Sequence, residues 1–230
     1  MATCGGNLIS ERYVLFAAHC VQKNTKPFVR LGEWNTTGDP DCQGDLCGDL
    51  CAPPIQDIKI AEVISHKGYY RSNKGAIKND IALIRLEAPA KLNFFVQPVC
   101  LPYGAAMSKD FTNEDTIAAG WGLSFTITLP FILLALKQTV TDASKCREAY
   151  SRIDIDGQVC AEGDIGTNIC RGDSGGPLLW KGSFESVMSE RTYLLGVSSH
   201  GPDSCAKKEI PTVFTRTNFF MKWILDNMRE

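Results

Sequence analysis

The stretch ICRGDSGGPLL, from Ile169 to Leu179, contains one serine between an acid and two glycines. Ser174 directly follows Asp173 and precedes Gly175 and Gly176. A serine hydroxyl is a weak nucleophile unless a nearby base takes its proton and a third group orients that base. Taken alone, GDSGG is also typical of a tight surface turn. The stretch therefore predicts a reactive serine only if a base and an acid stand elsewhere in the chain.

The chain offers three histidines as that base and a clear candidate for the acid. His19 lies in AAHC, whereas His66 and His200 lie in loop-like stretches. Asp80 stands in KNDIALIRL, at the head of an apolar strand. A buried carboxylate is costly unless a donor or a charge pairs with it, and an imidazole N–H would serve. The sequence thus offers Ser174 as the nucleophile, Asp80 as the acid, and one of His19, His66 and His200 as the base.

Short β-rich runs separated by Gly, Pro, Asn and Asp predict an all-β fold. These runs are Tyr13–Phe16, Ile81–Ile84, Leu133–Val140, Pro177–Trp180 and Tyr193–Val197. The apolar run Leu129–Leu136 is far shorter than the roughly 20 residues that span a bilayer, so we expect a core strand there. The segment Asn218–Met228 predicts an amphipathic terminal helix, because apolar side chains recur at helical spacing. Its predicted buried face contains Phe219, Phe220, Trp223, Ile224 and Met228.

Five segments together resemble the chymotrypsin-like (S1 family) serine endopeptidases. They are CGGNLISERYVLFAAHC, NDIALIRL, AAGWG, CRGDSGGPL and PTVFTR, and they run from Cys4 to the C-terminal helix. The Cys-rich loop is most similar to the insect clip-domain proteases of immune and developmental cascades. The resemblance implies two six-stranded antiparallel β-barrels, the first incomplete at its N-terminus, and a C-terminal α-helix. It also implies one peptidase domain over residues 1–230, protein substrates, serpin-type inhibitors and a monomer.

The resemblance also assigns roles to individual residues. Ser174 would attack the scissile carbonyl, His19 would act as general base and then general acid, and Asp80 would hold the tautomer of the imidazole. The backbone N–H groups of Gly172 and Ser174 would form the oxyanion hole. Ser199 matches the residue that supports the aspartate of the triad.

The predicted substrate pocket, to which Ser199 also belongs, departs from the pattern of trypsin. Asn168 stands where trypsin-like members carry an aspartate, and losing one member of a buried charge pair costs roughly 3 to 5 kcal/mol. That loss lowers discrimination for basic residues by about two to four decades. Ile169 replaces a small polar residue and Thr212 a glycine, while Gly201 is kept. We therefore expect a preference for small or medium uncharged side chains.

An alternative function is a catalytically weak or inactive homologue that binds other proteins. Phe16 and His200 replace residues that are usual in the family, a threonine and an aromatic residue, and favour this alternative. The enzyme is favoured by joint retention of five residues, because a binding protein has no chemical need for all of them: His19, Asp80, Ser174, Gly172 and Ser199.

The start of the sequence, MATCGGNLIS, differs from an activated member of the family. The resemblance implies activation by a new Ile-Val-Gly-Gly-type N-terminus, whose ammonium inserts beside Asp173. Because the chain begins after that segment, we expect Asp173 to lack its partner and the oxyanion hole to collapse. Losing one oxyanion donor costs about 100- to 1000-fold in rate. We also find no secretory signal here and expect a fragment of a longer protein.

Ten cysteines indicate an oxidising, extracellular history, because this number is high for a reduced cytosolic enzyme. Asn35-Thr36-Thr37 fits a glycosylation acceptor and agrees with that location. The resemblance implies the pairs Cys4–Cys20, Cys146–Cys160, Cys170–Cys205 and Cys42–Cys51. It leaves Cys47 without an assignment and makes Cys100 the tether to an upstream segment.

Residues 35–54 form a long loop rich in Gly, Asp and Cys, which is either functional or held by disulfides. Its carboxylates could hold calcium, which takes about six to eight oxygens, but without defined ligand spacing a solvated loop is favoured. No other cofactor is expected. The net charge of −2 favours neither nucleic acid nor an anionic membrane as a partner, since both call for a clustered basic face.

Overall fold

A computed structural model describes residues 4–21, 28–45, 48–73, 75–122, 131–150, 152–163, 172–184, 189–202 and 210–229. The strands of the first half are β1 (Asn7–Ser10), β2 (Tyr13–Phe16), β3 (Phe28–Leu31), β4 (Cys42–Asp45), β5 (Gly48–Cys51), β6 (Gln56–Ser65), β7 (Tyr70–Arg71), β8 (Ile77–Lys78) and β9 (Ala82–Leu86). Those of the second half are β10 (Asp115–Gly120), β11 (Leu134–Val140), β12 (Gln158–Glu162), β13 (Pro177–Gly182), β14 (Arg191–His200) and β15 (Thr212–Arg216). The helices are α1 (Ala143–Ala149) and α2 (Met221–Asn227), with 3₁₀ turns at Ala18–Cys20, Gly104–Met107 and Asn218–Phe220.

The first half forms an open, antiparallel five-stranded sheet in the order β1-β2-β9-β6-β3. β2 lies between β1 and β9, and its residues YVLF are buried on both faces, which explains their continuous apolar run. β6 alternates between half-buried and exposed residues along most of its length, as expected for a strand with one face toward solvent. Two separate hairpins, β4-β5 and β7-β8, extend from this half.

The second half forms a closed antiparallel barrel in the order β10-β11-β12-β15-β14-β13. Closure pairs every strand on both sides, so this barrel has no free edge. Side chains of β2, β9 and β14 share one buried core, which also receives Phe220 and Ile224 from the C-terminal segment. The two halves therefore pack through a common hydrophobic core rather than through a linker.

Two expectations about apolar segments are corrected by the structure. Within Leu129–Leu136, residues 129 and 130 lie outside the described residues, Phe131 and Ile132 are 65% and 39% exposed, and β11 starts only at Leu134. This run is therefore not a core strand. Phe219 is 53% exposed, because Asn218–Phe220 is a 3₁₀ turn whose period of about three residues rotates Phe219 off the buried face.

Candidate active site

His19 lies in the 3₁₀ turn Ala18–Cys20, which directly follows the buried strand β2. The disulfide Cys4–Cys20 holds the residue after it. The backbone N–H of His19 donates to Asp80 Oδ1 at 2.8 Å, and its Nδ1 lies 2.7 Å from Asp80 Oδ2. Two contacts to one carboxylate therefore set both the position of the backbone and the orientation of the imidazole.

Asp80 is 1% exposed. It lies two residues before Ala82, where the central strand β9 begins. Burial alone raises the pKa of Asp80, but hydrogen bonds from His19 and Ser199 outweigh it and hold the pKa below its ordinary value. The carboxylate is ionised at neutral pH and can only accept hydrogen bonds. His19 Nδ1 therefore carries the proton, and Nε2 is left as the basic atom.

Ser199 and His200, at the end of β14, extend this arrangement. Ser199 Oγ donates to Asp80 Oδ2 at 2.5 Å and lies 3.2 Å from His200 Nδ1. The hydroxyl of Ser199 has a single proton, which it donates in the hydrogen bond to Asp80. His200 Nδ1 must therefore be the donor in its hydrogen bond with Ser199 Oγ. Burial lowers the pKa of His200 to about 4, so its imidazole is neutral at neutral pH. His19, Asp80, Ser199 and His200 thus form one continuous hydrogen-bonded chain.

The turn around Ser174 depends on two glycines with positive φ. Gly172 has φ +105° and Gly175 has φ +80°. A Cβ on Gly175 would lie 2.4 Å from Gly5 O and 3.4 Å from Ala17 N, two residues before His19. The backbone of Ser174 is tied to the same region, because its carbonyl accepts from Gly5 N at 2.7 Å. This close approach is possible only without a side chain at position 175.

The structure brings Ser174 next to the His19 segment without a direct hydrogen bond. Within the described residues, Ser174 Oγ makes no hydrogen bond to His19, although the residue is half-buried and its neighbours Gly5 and Gly175 contact the segment that carries His19. Hydrogen bonds of catalytic groups are often long before substrate binds. The site therefore contains an oriented His19–Asp80 pair beside a serine that is not yet engaged.

Asp173, the residue before Ser174, is 8% exposed and accepts a hydrogen bond from Gly122 N at 2.7 Å. Its carboxylate fills the space beside Gly120 and Gly122, where any Cβ would collide with it. The backbone N–H of Gly122 is not the N-terminal ammonium that the resemblance implies, so the expectation that Asp173 lacks that ammonium stays a prediction. The AAGWG segment thus has a structural reason for its glycines: they make room for a buried carboxylate.

The pocket residues are described only in part. Asn168 and Ile169 lie outside the described residues. Thr212 is 1% exposed and faces Gly201, because a Cβ on Gly201 would lie 3.2 Å from Thr212 Oγ1. That hydroxyl is buried and has no hydrogen-bond partner among the described residues. Thr212 therefore narrows the predicted pocket on the side of Gly201. Its hydroxyl remains there without a hydrogen-bond partner among the described residues.

Three of the predicted disulfides are present: Cys4–Cys20, Cys42–Cys51 and Cys146–Cys160. Cys42–Cys51 joins the ends of the β4-β5 hairpin, so part of the loop at 35–54 is a cross-linked hairpin. Cys47, Cys170 and Cys205 lie outside the described residues. Cys100 is half-buried and is a free thiol in the described part of the chain.

Comparison with known proteins decides the family. The family described as Trypsin matches residues 1–224. The chain belongs to the trypsin family. Phenoloxidase-activating factor 3 of Holotrichia diomphalia is 40% identical over 231 residues, covering 98% of this chain and 64% of that protein. CLIP domain-containing serine protease HP8 of Bombyx mori is 38% identical over 238 residues, covering 99% and 62%. This trypsin-family chain spans less than two thirds of the length of either relative.

The predicted trypsin-like fold is confirmed by a solved structure. The crystal structure of the Drosophila Grass clip serine protease of the Toll pathway matches with a TM-score of 0.87 at 30% identity. The match covers 98% of this chain and 64% of that chain. The resemblance to clip-domain proteases is confirmed by the same comparisons. In the described part of this trypsin-family chain, no helix is long and apolar enough to cross a membrane.

Sequence reasoning missed two residues that support the site of this trypsin-family chain. Thr215 Oγ1, on β15, donates to Asp80 O at 2.8 Å. Asn7 Nδ2, on β1, donates to Leu15 O at 3.1 Å and to Gly175 O at 3.0 Å. Both join segments that are far apart in the chain, so no local pattern marks them. Their burial, at 1% and 6% exposure, is visible only in the fold.

In the described part of the loop predicted as a candidate calcium site, no three acidic side chains lie close enough together to hold one ion. Asp41 accepts from Trp34 N at 2.7 Å and from Asn35 N at 3.1 Å, and Asp39 accepts from Ile55 N at 3.1 Å. These carboxylates hold the backbone of the loop. Glu33, which sequence reasoning overlooked, has a side chain that is 9% exposed. Its Oε1 is buried and has no hydrogen-bond partner among the described residues.

Proposed function

We propose that this chain is a serine endopeptidase that hydrolyses peptide bonds through an acyl-enzyme. The observation that carries this proposal is the His19–Asp80 pair, with Nδ1 and Oδ2 at 2.7 Å, beside the turn of Ser174. His19 Nε2 takes the proton of Ser174 as its oxygen attacks the carbonyl, and returns it to the leaving amine. Asp80 stabilises the imidazolium that forms in between. Gly172 and Ser174 offer N–H groups to the oxyanion. None of these steps needs a metal or an organic cofactor.

A second candidate function is a non-catalytic homologue that binds proteins. The missing hydrogen bond from Ser174 Oγ to His19 within the described residues favours it. The two candidates differ in whether Ser174 reacts with a fluorophosphonate probe. The test uses this chain and the same chain extended by Ile-Val-Gly-Gly at its N-terminus. Labelling of Ser174 in either form, lost in Ser174→Ala, supports the protease. Absence of labelling in both folded forms would assign the binding function.

Replacement of Asp80 tests the role of the carboxylate more sharply. The amide of an Asp80→Asn variant would turn an N–H toward His19 Nδ1 and reverse the tautomer that the triad needs. In the well-characterised serine protease triad the same change lowers kcat by about 10⁴-fold, and we expect a loss of that order in Asp80→Asn. Asp57→Asn is the matched control, because Asp57 lies at the surface in an ion pair with Arg30. Equal rates for Asp80→Asn and the control would refute the proposed role.

We propose that the pocket prefers small or medium uncharged side chains. Thr212 supports this, because it is buried against Gly201, and the amide at Asn168 lacks a charge for Arg or Lys. Peptides that differ only at the residue before the cleaved bond measure the preference. We expect kcat/KM for Ala and Val to exceed that for Arg, and Asn168→Asp to raise kcat/KM for Arg by about two decades or more. Faster cleavage after Arg by the unchanged chain would contradict the proposal.

The setting of the reaction follows from the disulfides and from the relatives. Three disulfides in the described residues support an oxidising, extracellular location. We propose that the chain acts as a monomer on proteins of an extracellular immune or developmental cascade and is inhibited by serpin-type proteins. The name of phenoloxidase-activating factor 3 supports a cascade substrate, which is itself a protein.

A further inference from the structure

The segment Asn35-Thr36-Thr37 is the single Asn-x-Ser/Thr triplet in the 230 residues. It lies in the turn after β3, where Thr36 and Thr37 are exposed and Asn35 is half-buried. Such a triplet on an exposed loop is the acceptor of an N-linked oligosaccharide in secreted proteins. Position alone does not distinguish a used acceptor from a chance match, so the geometry of the side chains matters.

The side chains of this triplet are arranged for modification of the amide nitrogen. Asn35 Oδ1 accepts from Thr37 Oγ1 at 2.8 Å and from Thr37 N at 3.2 Å. Two donors on the amide oxygen draw electron density from the amide and make the protons of Nδ2 more acidic. Among the described residues nothing accepts a hydrogen bond from Asn35 Nδ2. In the described part of the chain, Asn35 Nδ2 is thus without an acceptor, while its amide oxygen holds two donors.

Three exposed apolar side chains, together called the apolar patch here, belong to this turn and to the segment paired with it: Trp34, Phe131 and Ile132. These side chains are 37%, 65% and 39% exposed. Asn35 forms a β-bridge with Ile132, and Thr36 N donates to Phe131 O at 2.8 Å. Large apolar side chains exposed near one another on a surface either bind something or favour aggregation. Asn35 Nδ2, the atom that would accept the oligosaccharide, therefore lies next to exposed apolar side chains.

We infer that Asn35 carries an N-linked oligosaccharide that covers the patch of Trp34, Phe131 and Ile132. In the transfer, Asn35 Nδ2 loses a proton and bonds to the anomeric carbon of a lipid-diphosphate-linked oligosaccharide. The bond from that carbon to the diphosphate oxygen breaks, and the lipid diphosphate leaves. The apolar C–H faces of the sugar rings then lie on the aromatic side chains. This inference rests on the extracellular location in the proposed function.

The test is the mass of the chain secreted from insect cells behind a secretory leader. We expect one N-linked oligosaccharide, removed by peptide-N-glycosidase with conversion of Asn35 to aspartate. Thr37→Ala should abolish the modification and Thr37→Ser should retain it, while Thr36→Ala is the matched control that leaves it unchanged. A secreted, folded chain with the unmodified polypeptide mass would overturn the inference.

Two further readouts separate the parts of the inference. Fluorophosphonate labelling on the same sample distinguishes the sugar from the activity: an unmodified but labelled chain refutes only the sugar, and a modified but unlabelled chain refutes only the protease. Enzymatic removal of the sugar from the folded protein should increase binding of a hydrophobic dye and self-association. Phe131→Ser should reverse that increase. Unchanged dye binding after removal would refute the covering role.

Discussion

At the residue scale, His200 shows how a neutral imidazole can pack beside the His19–Asp80 pair. Its ring contacts Tyr150 edge to face, with centroids 5.3 Å apart, and its Nδ1 is directed to Ser199 Oγ. Burial is the main cause that lowers its pKa, the nearby Asp80 raises it, and the nearby His19 and Arg71 lower it further. A cation here would compete with His19 for Asp80, so the neutral state of His200 leaves the carboxylate to His19.

The titration of His200 predicts a dependence of stability on pH. Its pKa falls from an ordinary value of 6.5 to about 4 on folding. Between these values the unfolded chain binds more protons than the folded one, so the free energy of unfolding decreases as the pH falls from 6.5 to 4. Between pH 7 and pH 4.5 this residue contributes a loss of about 2 kcal/mol.

Urea unfolding of the wild type and of His200→Phe at pH 7 and pH 4.5 measures this contribution. The phenyl ring keeps a contact with Tyr150 but does not titrate. We expect the loss of stability on acidification to be smaller in the variant by about 2 kcal/mol. Equal losses in the two proteins would show that His200 does not carry the dependence.

At the element scale, α2 is held by one deeply buried side chain. Ile224 is 0% exposed and lies in the core shared with β2, β9 and β14, whereas its neighbour Leu225 is 58% exposed. Ile224→Ala should lower the free energy of unfolding by about 2 to 5 kcal/mol, because it removes buried methyl groups and leaves a cavity. Leu225→Ala is the matched control and should change it by less than about 0.5 kcal/mol. Similar losses in urea unfolding would mean that α2 does not dock through this face.

The turn between β3 and the β4-β5 hairpin gives a prediction about calcium. Glu33 Oε1 is a buried carboxylate oxygen without a partner among the described residues, and calcium prefers such oxygens. We expect calcium to stabilise the wild type by about 1.4 kcal/mol when the free ion is about tenfold above its Kd. Glu33→Gln should abolish the shift in Tm, whereas Glu62→Gln, at a half-buried position of β6 that pairs with Arg85, should retain it. An equal shift in both variants would place the ion elsewhere.

At the scale of the whole molecule, Asp80 is the point where the two halves meet. The first half supplies His19, and the closed barrel supplies Ser199 and Thr215 as donors to the same residue. Asn7 makes the reciprocal connection, because it donates from β1 to the turn after Ser174. The relative position of the two halves therefore decides whether the reactive groups meet.

Two buried threonines allow the hydrogen bond to Asp80 to be tested separately from the effect of burial. Thr215 Oγ1 donates to Asp80 O, whereas Thr217 Oγ1 is buried without a hydrogen-bond partner among the described residues. Thr215→Val should cost about 1 to 3 kcal/mol, because it leaves a buried carbonyl without its donor, and should slow labelling of Ser174. Thr217→Val removes a hydroxyl that is already unpaired and should be neutral or stabilising. Loss of stability in both variants would point to packing instead of the hydrogen bond.

The sequence by itself located several of the strands, because alternation and continuous apolar runs follow from how each strand is buried. Tyr13–Phe16 coincides with β2, and Pro177–Trp180 lies within β13. Order and spacing of motifs likewise identified the His19–Asp80 pair and the support from Ser199. The terminal helix was expected as one element, but the exposed side chain of Phe219 depends on a 3₁₀ turn that no periodicity marks.

Only the tertiary structure decided which groups near the site are charged, paired or unused. The neutral state of His200, the partner of Asp173 and the donor from Thr215 all depend on residues that are distant in the chain. Burial and hydrogen bonding are properties of the folded surroundings, and local sequence patterns carry no information about them. Short motifs of the sequence therefore mark the groups of the candidate site. Packing between the two halves determines the protonation states of these groups and their hydrogen-bond partners.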